Sequence, residues 1–155
     1  MTAQRIGYED MEVGTTYEVG LHTFTRDEVV RFASEFDPQP FHIDDAAAAA
    51  SPFGGLIASG WHTCSVMMGL LVRGALANST SMGSPGIDEI RWLKPVRVGD
   101  TITMKNSILD KRLSESRPDR GIVSTQWEGI NQNGETVITV RSKGIFGLRN
   151  PQAAA

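Results

Sequence analysis

The sequence predicts an α+β fold in which a curved antiparallel sheet wraps around one long central apolar helix. Two observations carry this. Residues 60–77 (GWHTCSVMMGLLVRGALA) are apolar or small at nearly every position, and Arg73 is their only charge. A helix that is apolar all round must be covered on most sides. The last third of the chain, after a loop rich in Ser, Gly and Asn at 78–86, reads as a run of strands. Two of these are joined by an Asn133-Gly134 hairpin turn. Strand, helices, one long apolar helix and then consecutive strands is the order of an α+β chain. A sheet curling around the helix would satisfy its apolar circumference.

Each element has a local reason. Residues 1–14 are a lead-in punctuated by Gly14, and 15–23 (TTYEVGLHT) are rich in β-branched and aromatic residues, as a strand requires. Thr25 and Glu28 form a capping box that opens a helix to about Phe36, with Val29, Val30, Phe32, Ala33 and Phe36 as its apolar stripe. Asp44 can cap a short helix through the alanines 46–50, stopped by Ser51-Pro52. Residues 54–60 are a flexible approach to the long helix. The strands expected after it are 87–93, 101–110, 122–131 and 136–148, with turns at 94–100 and 114–119. The tail 150–155 is expected to fray.

A chain of 155 residues with 40% hydrophobic and 21% charged residues is most simply one soluble domain, 1–155. A net charge of −3 argues against general affinity for nucleic acid or anionic membrane. No apolar run approaches the roughly 20 residues of a membrane span. The polar N-terminus lacks a signal-peptide core. The single cysteine, Cys64, rules out an internal disulfide and fits a reducing compartment. The expectation is a cytoplasmic protein.

The stretch that suggests chemistry is Phe36-Asp37-Pro38-Gln39-Pro40-Phe41-His42. It sets a carboxylate and an imidazole five residues apart with two prolines between them. Proline fixes φ and removes a donor, so the segment is expected to be a stiff loop and neither helix nor central strand. Rigid loops often carry function. The residues alone leave open whether Asp37 and His42 do chemistry or hold a corner together, because Asp before Pro is also a common turn starter.

Three motifs together resemble the MaoC-like dehydratases, which include the R-specific enoyl-CoA hydratases and share the hot-dog fold. Asp37-x-x-Pro40-x-His42 is similar to that family's Asp-x-Asn-Pro-x-His loop. Ile57-Ala58-Ser59-Gly60 resembles the entry to its central helix, and Trp92-Leu93-Lys94-Pro95-Val96-x-Val98-Gly99-Asp100 resembles a strand and turn typical of it. There are departures. Phe36 replaces the usual glycine, Gln39 the usual asparagine, and Ser59 a common histidine. Met68 stands where some hydratases have a serine two turns into the helix.

The resemblance implies reversible hydration of a trans-2-enoyl-CoA-type thioester to an (R)-3-hydroxyacyl product. That reaction needs a base for water, an acid for the α-carbon and a donor for the enolate oxygen. Asp37 and His42 are expected to share the proton work. The Gly60 N–H, unpaired at the positive end of a helix, is expected to polarise the carbonyl. Ser59, Trp61 and His62 are expected to line the substrate site, although a core histidine is the plainer reading of His62. The three histidines lie twenty apart, so no metal is expected, and Gly54-Gly55 and Gly83–Gly86 lack the strand-to-helix context of a dinucleotide or phosphate loop, so no other cofactor is expected. Arg91, Lys94, Arg97 and Lys143 are candidates for the CoA phosphates by chemistry alone. A homodimer or dimer of dimers is expected, because single hot-dog units usually pair sheet edges. The nearest rival is a hot-dog thioesterase, but residues 60–77 hold no carboxylate to activate water there. A non-catalytic acyl-CoA-binding subunit is the second rival.

Overall fold

The computed structural model describes residues 4–151. Most of the expected frayed tail lies outside them. The elements are β1 (Thr16–Thr23), α1 (Arg26–Phe36), α2 (Pro40–Ile43), α3 (Asp45–Ala50), α4 (Gly60–Leu71), β2 (Gly86–Trp92), β3 (Thr101–Leu113), β4 (Arg120–Ile130) and β5 (Thr136–Gly147). A 3₁₀ turn at Tyr8–Asp10 precedes them. All strand pairs are antiparallel, in the order β1-β3-β4-β5-β2. Among the described residues the sheet therefore has two open edges, β1 and β2.

Local signals set the helix ends. Thr25 caps α1, accepting from Glu28 N–H and donating to the Glu28 carboxylate at 2.9 Å. Asp44 caps α3 through Ala47 N–H at 2.7 Å. One expectation is corrected here. The stretch 37–42 is not loop throughout, because Pro40 opens the single turn α2. Proline is excluded from a helix interior but suits the first position, where its missing N–H would have no partner.

The α4 helix lies against the sheet. Met67, Leu70 and Leu71 join Ile102 and Met104 of β3, Trp127 of β4, and Val137, Ile138 and Val140 of β5 in the main core. After Leu71 the helix continues as a π turn, Val72–Leu76. There it presses on β1: a Cβ at Gly74 would lie 2.4 Å from the Val19 carbonyl oxygen. Only glycine permits that approach.

The helix is not buried all round within this chain. Trp61, Met68 and Val72 are 56%, 40% and 40% exposed. The sheet and α1 cover the other faces, and the remaining apolar stripe faces outward. Met67, by contrast, is 1% exposed at the centre of the core. Met67→Ala should therefore destabilise the fold by about 2–5 kcal/mol, measured by urea unfolding. A loss below about 1 kcal/mol would mean that α4 is not held by this core.

Candidate active site

Asp37 sits where α1 ends. Its N–H still bonds to the Ala33 carbonyl at 2.9 Å, and its own carbonyl accepts from Gln39 N–H at 2.8 Å. The turn α2 then carries His42 back toward it. His42 is 4% exposed. Its Nδ1 lies 2.7 Å from the Ile57 carbonyl oxygen. A carbonyl only accepts, so Nδ1 carries a proton and Nε2 is the nitrogen left for chemistry. Nε2 faces Asp37 Oδ2 at 3.2 Å. The prolines and the Ile57 contact thus fix both partners from the backbone.

The carboxylate has two further donors. Ser59 Oγ donates to Oδ2 at 2.7 Å, and Gln39 Nε2 donates to Oδ1 at 2.8 Å. Burial by itself would raise the Asp37 pKa. The hydrogen bonds from Ser59 and Gln39 and the nearby His42 outweigh burial and hold it below the ordinary value. Asp37 is therefore ionised at neutral pH.

Asp37 and His42 border a cavity of about 380 Å³, with Gly60 and Trp61 on the same wall. Phe53, Leu93, Val96, Val137 and Ile138 make much of the rest apolar. Gly60 is the first residue of α4, so its N–H has no partner within the helix. A Cβ there would meet the Trp92 indole Nε1 at 2.4 Å. The glycine thus lets Trp92 lie across the helix start, and Trp92 also lines the cavity. Trp61 stands edge-on to Trp92, with ring centroids 5.3 Å apart.

Two residues expected to line the substrate site are placed differently. Ser59 is fully buried and touches Asp37 instead. His62 is turned away from the cavity. It stacks on Phe32 at 4.7 Å, lies edge-on to Phe24, and has Nε2 3.6 Å from Glu28 Oε1. Burial lowers its pKa. The helical periodicity explains this, because position 62 falls on the side of α4 that meets α1. Neither the Gln39 hydrogen bond to Asp37 nor the place of Trp92 in the cavity lining was expected from the sequence. The two residues were visible only as a departure and as a motif member. Of the four basic candidates, Lys94 lines the cavity and pairs with Glu135, and Arg97 donates to the Phe53 carbonyl. Arg91 and Lys143 pair with Glu89 and Asp88. Among the described residues no cluster of His, Cys, Asp and Glu could hold a metal ion.

Residues 9–128 match the family described as MaoC like domain, and the chain belongs to that family, with its hot-dog fold. The crystal structure of a MaoC-like dehydratase from Rhodospirillum rubrum is 39% identical, with a TM-score of 0.83 over 93% of this chain and 98% of that one. The (R)-hydratase from A. caviae involved in PHA biosynthesis is 28% identical, with a TM-score of 0.71 over 88% and 97% of the two chains. The 3-hydroxybutyryl-CoA dehydratase of Methylorubrum extorquens is 27% identical over 141 residues, 88% of this chain and 85% of its own length. These relatives support a hydratase or dehydratase activity in the broad sense. No helix among the described residues is long and apolar enough to cross a membrane.

Proposed function

We propose that this single-domain protein is a hydro-lyase that reversibly adds water to a trans-2-enoyl-CoA-type thioester and gives an (R)-3-hydroxyacyl-CoA. One observation carries the reading. The Asp37–His42 pair, 3.2 Å apart, faces a cavity that also holds the helix-start glycine Gly60. The oxygen of a water beside the pair bonds to the β-carbon as its proton passes to the Asp37–His42 pair, and the pair returns a proton to the α-carbon, so its own proton count is unchanged. The thioester oxygen gains negative charge as the enolate forms. The Gly60 N–H stabilises it, aided by the positive end of α4. Trp61 and the apolar wall hold the acyl group and exclude water from it.

The chain works in this reading as a homodimer. Its support is the open β2 edge, beside which Ile87, Trp92 and Leu93 are about half exposed. Unprotected edges of this kind are usually covered. Light scattering should give twice the mass of the chain or a multiple of it, and a monomer at micromolar concentration would contradict the expectation. A CoA-linked substrate and an unpaired cysteine support a cytoplasmic setting.

The activity is tested by incubating the protein with crotonyl-CoA and with longer and branched enoyl-CoAs. Loss of the conjugated absorbance and release of free thiol are followed together. Hydration without thiol release is expected. Thiol release alone would establish a thioesterase, and silence in both channels across the panel would leave an acyl-CoA-binding subunit.

A further inference from the structure

We infer that Ser59 is a positioning residue, whose hydroxyl clamps the Asp37 carboxylate to the first turn of α4 and so holds the proton-transfer pair in register with the Gly60 N–H. The inference rests on the proposed hydration reaction and deepens it. It goes against a substrate contact for Ser59, because that side chain is fully buried.

The geometry leaves the hydroxyl little choice. A serine hydroxyl has one proton to give and lone pairs to accept with. The Asp37 carboxylate only accepts, so the Ser59 proton goes to Oδ2, at 2.7 Å. The lone pairs then take the Trp61 N–H at 3.3 Å, which makes Ser59 the cap of α4. The Ser59 carbonyl accepts from Thr63 N–H at 3.1 Å, fixing the same residue to the helix from its other end. One side chain thus joins two elements 22 positions apart in sequence. The next residue is Gly60. A shift of Ser59 would move the oxyanion donor and the carboxylate relative to each other, and misplacement of this kind costs rate more than binding.

The clamp also governs how readily Asp37 takes a proton. A hydrogen bond to the ionised form favours that form. Ser59 therefore makes Asp37 a weaker base and keeps it charged until the substrate arrives. The groups that could alter this are few. His42 faces Asp37 from α2 at 3.2 Å. On α4 the only titratable neighbours are His62, which points to Glu28 of α1, and Cys64, whose thiol is half-buried beside Trp92. Lys94, which lines the same cavity, is paired with Glu135.

The test uses Ser59→Ala, Ser59→Gly and Ser59→Thr in the full chain. The Asp37 side-chain carboxyl is titrated by carbon NMR, and kcat and KM are measured separately. Glycine is nearly as good a helix cap as serine, so Ser59→Gly removes the donor with little loss of capping. Ala and Gly should both move the Asp37 titration upward by roughly one pH unit, as losing a charge-assisted hydrogen bond implies. Both should lower kcat about tenfold with KM nearly unchanged. Threonine, which keeps the hydroxyl, should restore the wild-type titration. An Asp37 titration that stays in place in Ala or Gly would overturn the inference, even if those variants are less stable. A raised KM with unchanged kcat would overturn it in favour of substrate contact. The carboxyl titration needs no turnover, so it still decides about the clamp if the hydration reading itself fails. If Ser59→Ala does not fold, Ser59→Gly gives the same readout.

Discussion

Asp37→Asn should lower hydration by about 100- to 10,000-fold, the usual loss when a general acid or base is removed. The amide keeps the size of the side chain, and its one oxygen can still accept from Ser59, while its NH2 then faces Gln39, whose side-chain amide can turn its own oxygen to accept. It cannot take or hand on a proton beside His42 Nε2. The variant should therefore remain folded, as circular dichroism at pH 7 would check, and fail only in kcat. There is a second consequence in the pH dependence of stability. The Asp37 pKa is lower in the folded chain than its ordinary value of 3.8. Its contribution is present above the unfolded value and is lost as pH falls through the depressed folded value. Wild type should thus lose stability relative to Asp37→Asn as acid is added below about pH 4. Equal activity in the two proteins would remove Asp37 from the reaction.

His42→Ala should cause a loss of comparable size, with a structural cost that Asp37→Asn lacks. The ring is buried and its Nδ1–H satisfies the Ile57 carbonyl. Removing it leaves that carbonyl without its imidazole partner, at a cost of about 1–3 kcal/mol. Urea unfolding and activity must therefore be measured on the same sample. Full hydration by a folded His42→Ala protein would refute the assignment of the pair.

The two residues of that pair were legible in the sequence because much of their geometry is made locally. Two prolines and a five-residue spacing keep the groups near each other, although the Ile57 carbonyl completes the placement of His42 and the resemblance, not the spacing, suggested chemistry. The helix caps at Thr25 and Asp44 are also made locally. What the sequence could not show depends on contacts between distant segments. Ser59 reaches Asp37 only because α4 begins beside the end of α1. His62 is turned toward Glu28 and Phe32 by the same packing, and neither contact has a local signature. Gly60 is instructive in another way. Its N–H was expected at the thioester carbonyl, and the nearest thing a Cβ at this position would strike is Trp92. Its N–H remains unpaired by the helix, so the two readings coexist. The helix of 60–77 was visible as apolar on every side. Composition could not say that the face bearing Trp61, Met68 and Val72 would be left uncovered within one chain. Apolarity reports that a surface is buried somewhere, and not by what.

In the proposed reaction Asp37 and His42 act from one side of a thioester held by the Gly60 N–H. A single fixed pair beside one oxyanion donor should deliver water to one face of the double bond. The most direct measurement is the configuration of the 3-hydroxybutyryl-CoA formed from crotonyl-CoA, read with stereospecific dehydrogenases. The (R)-product alone is expected. An (S)-product, a racemate, or free CoA without hydroxyacyl product would contradict the proposed reaction.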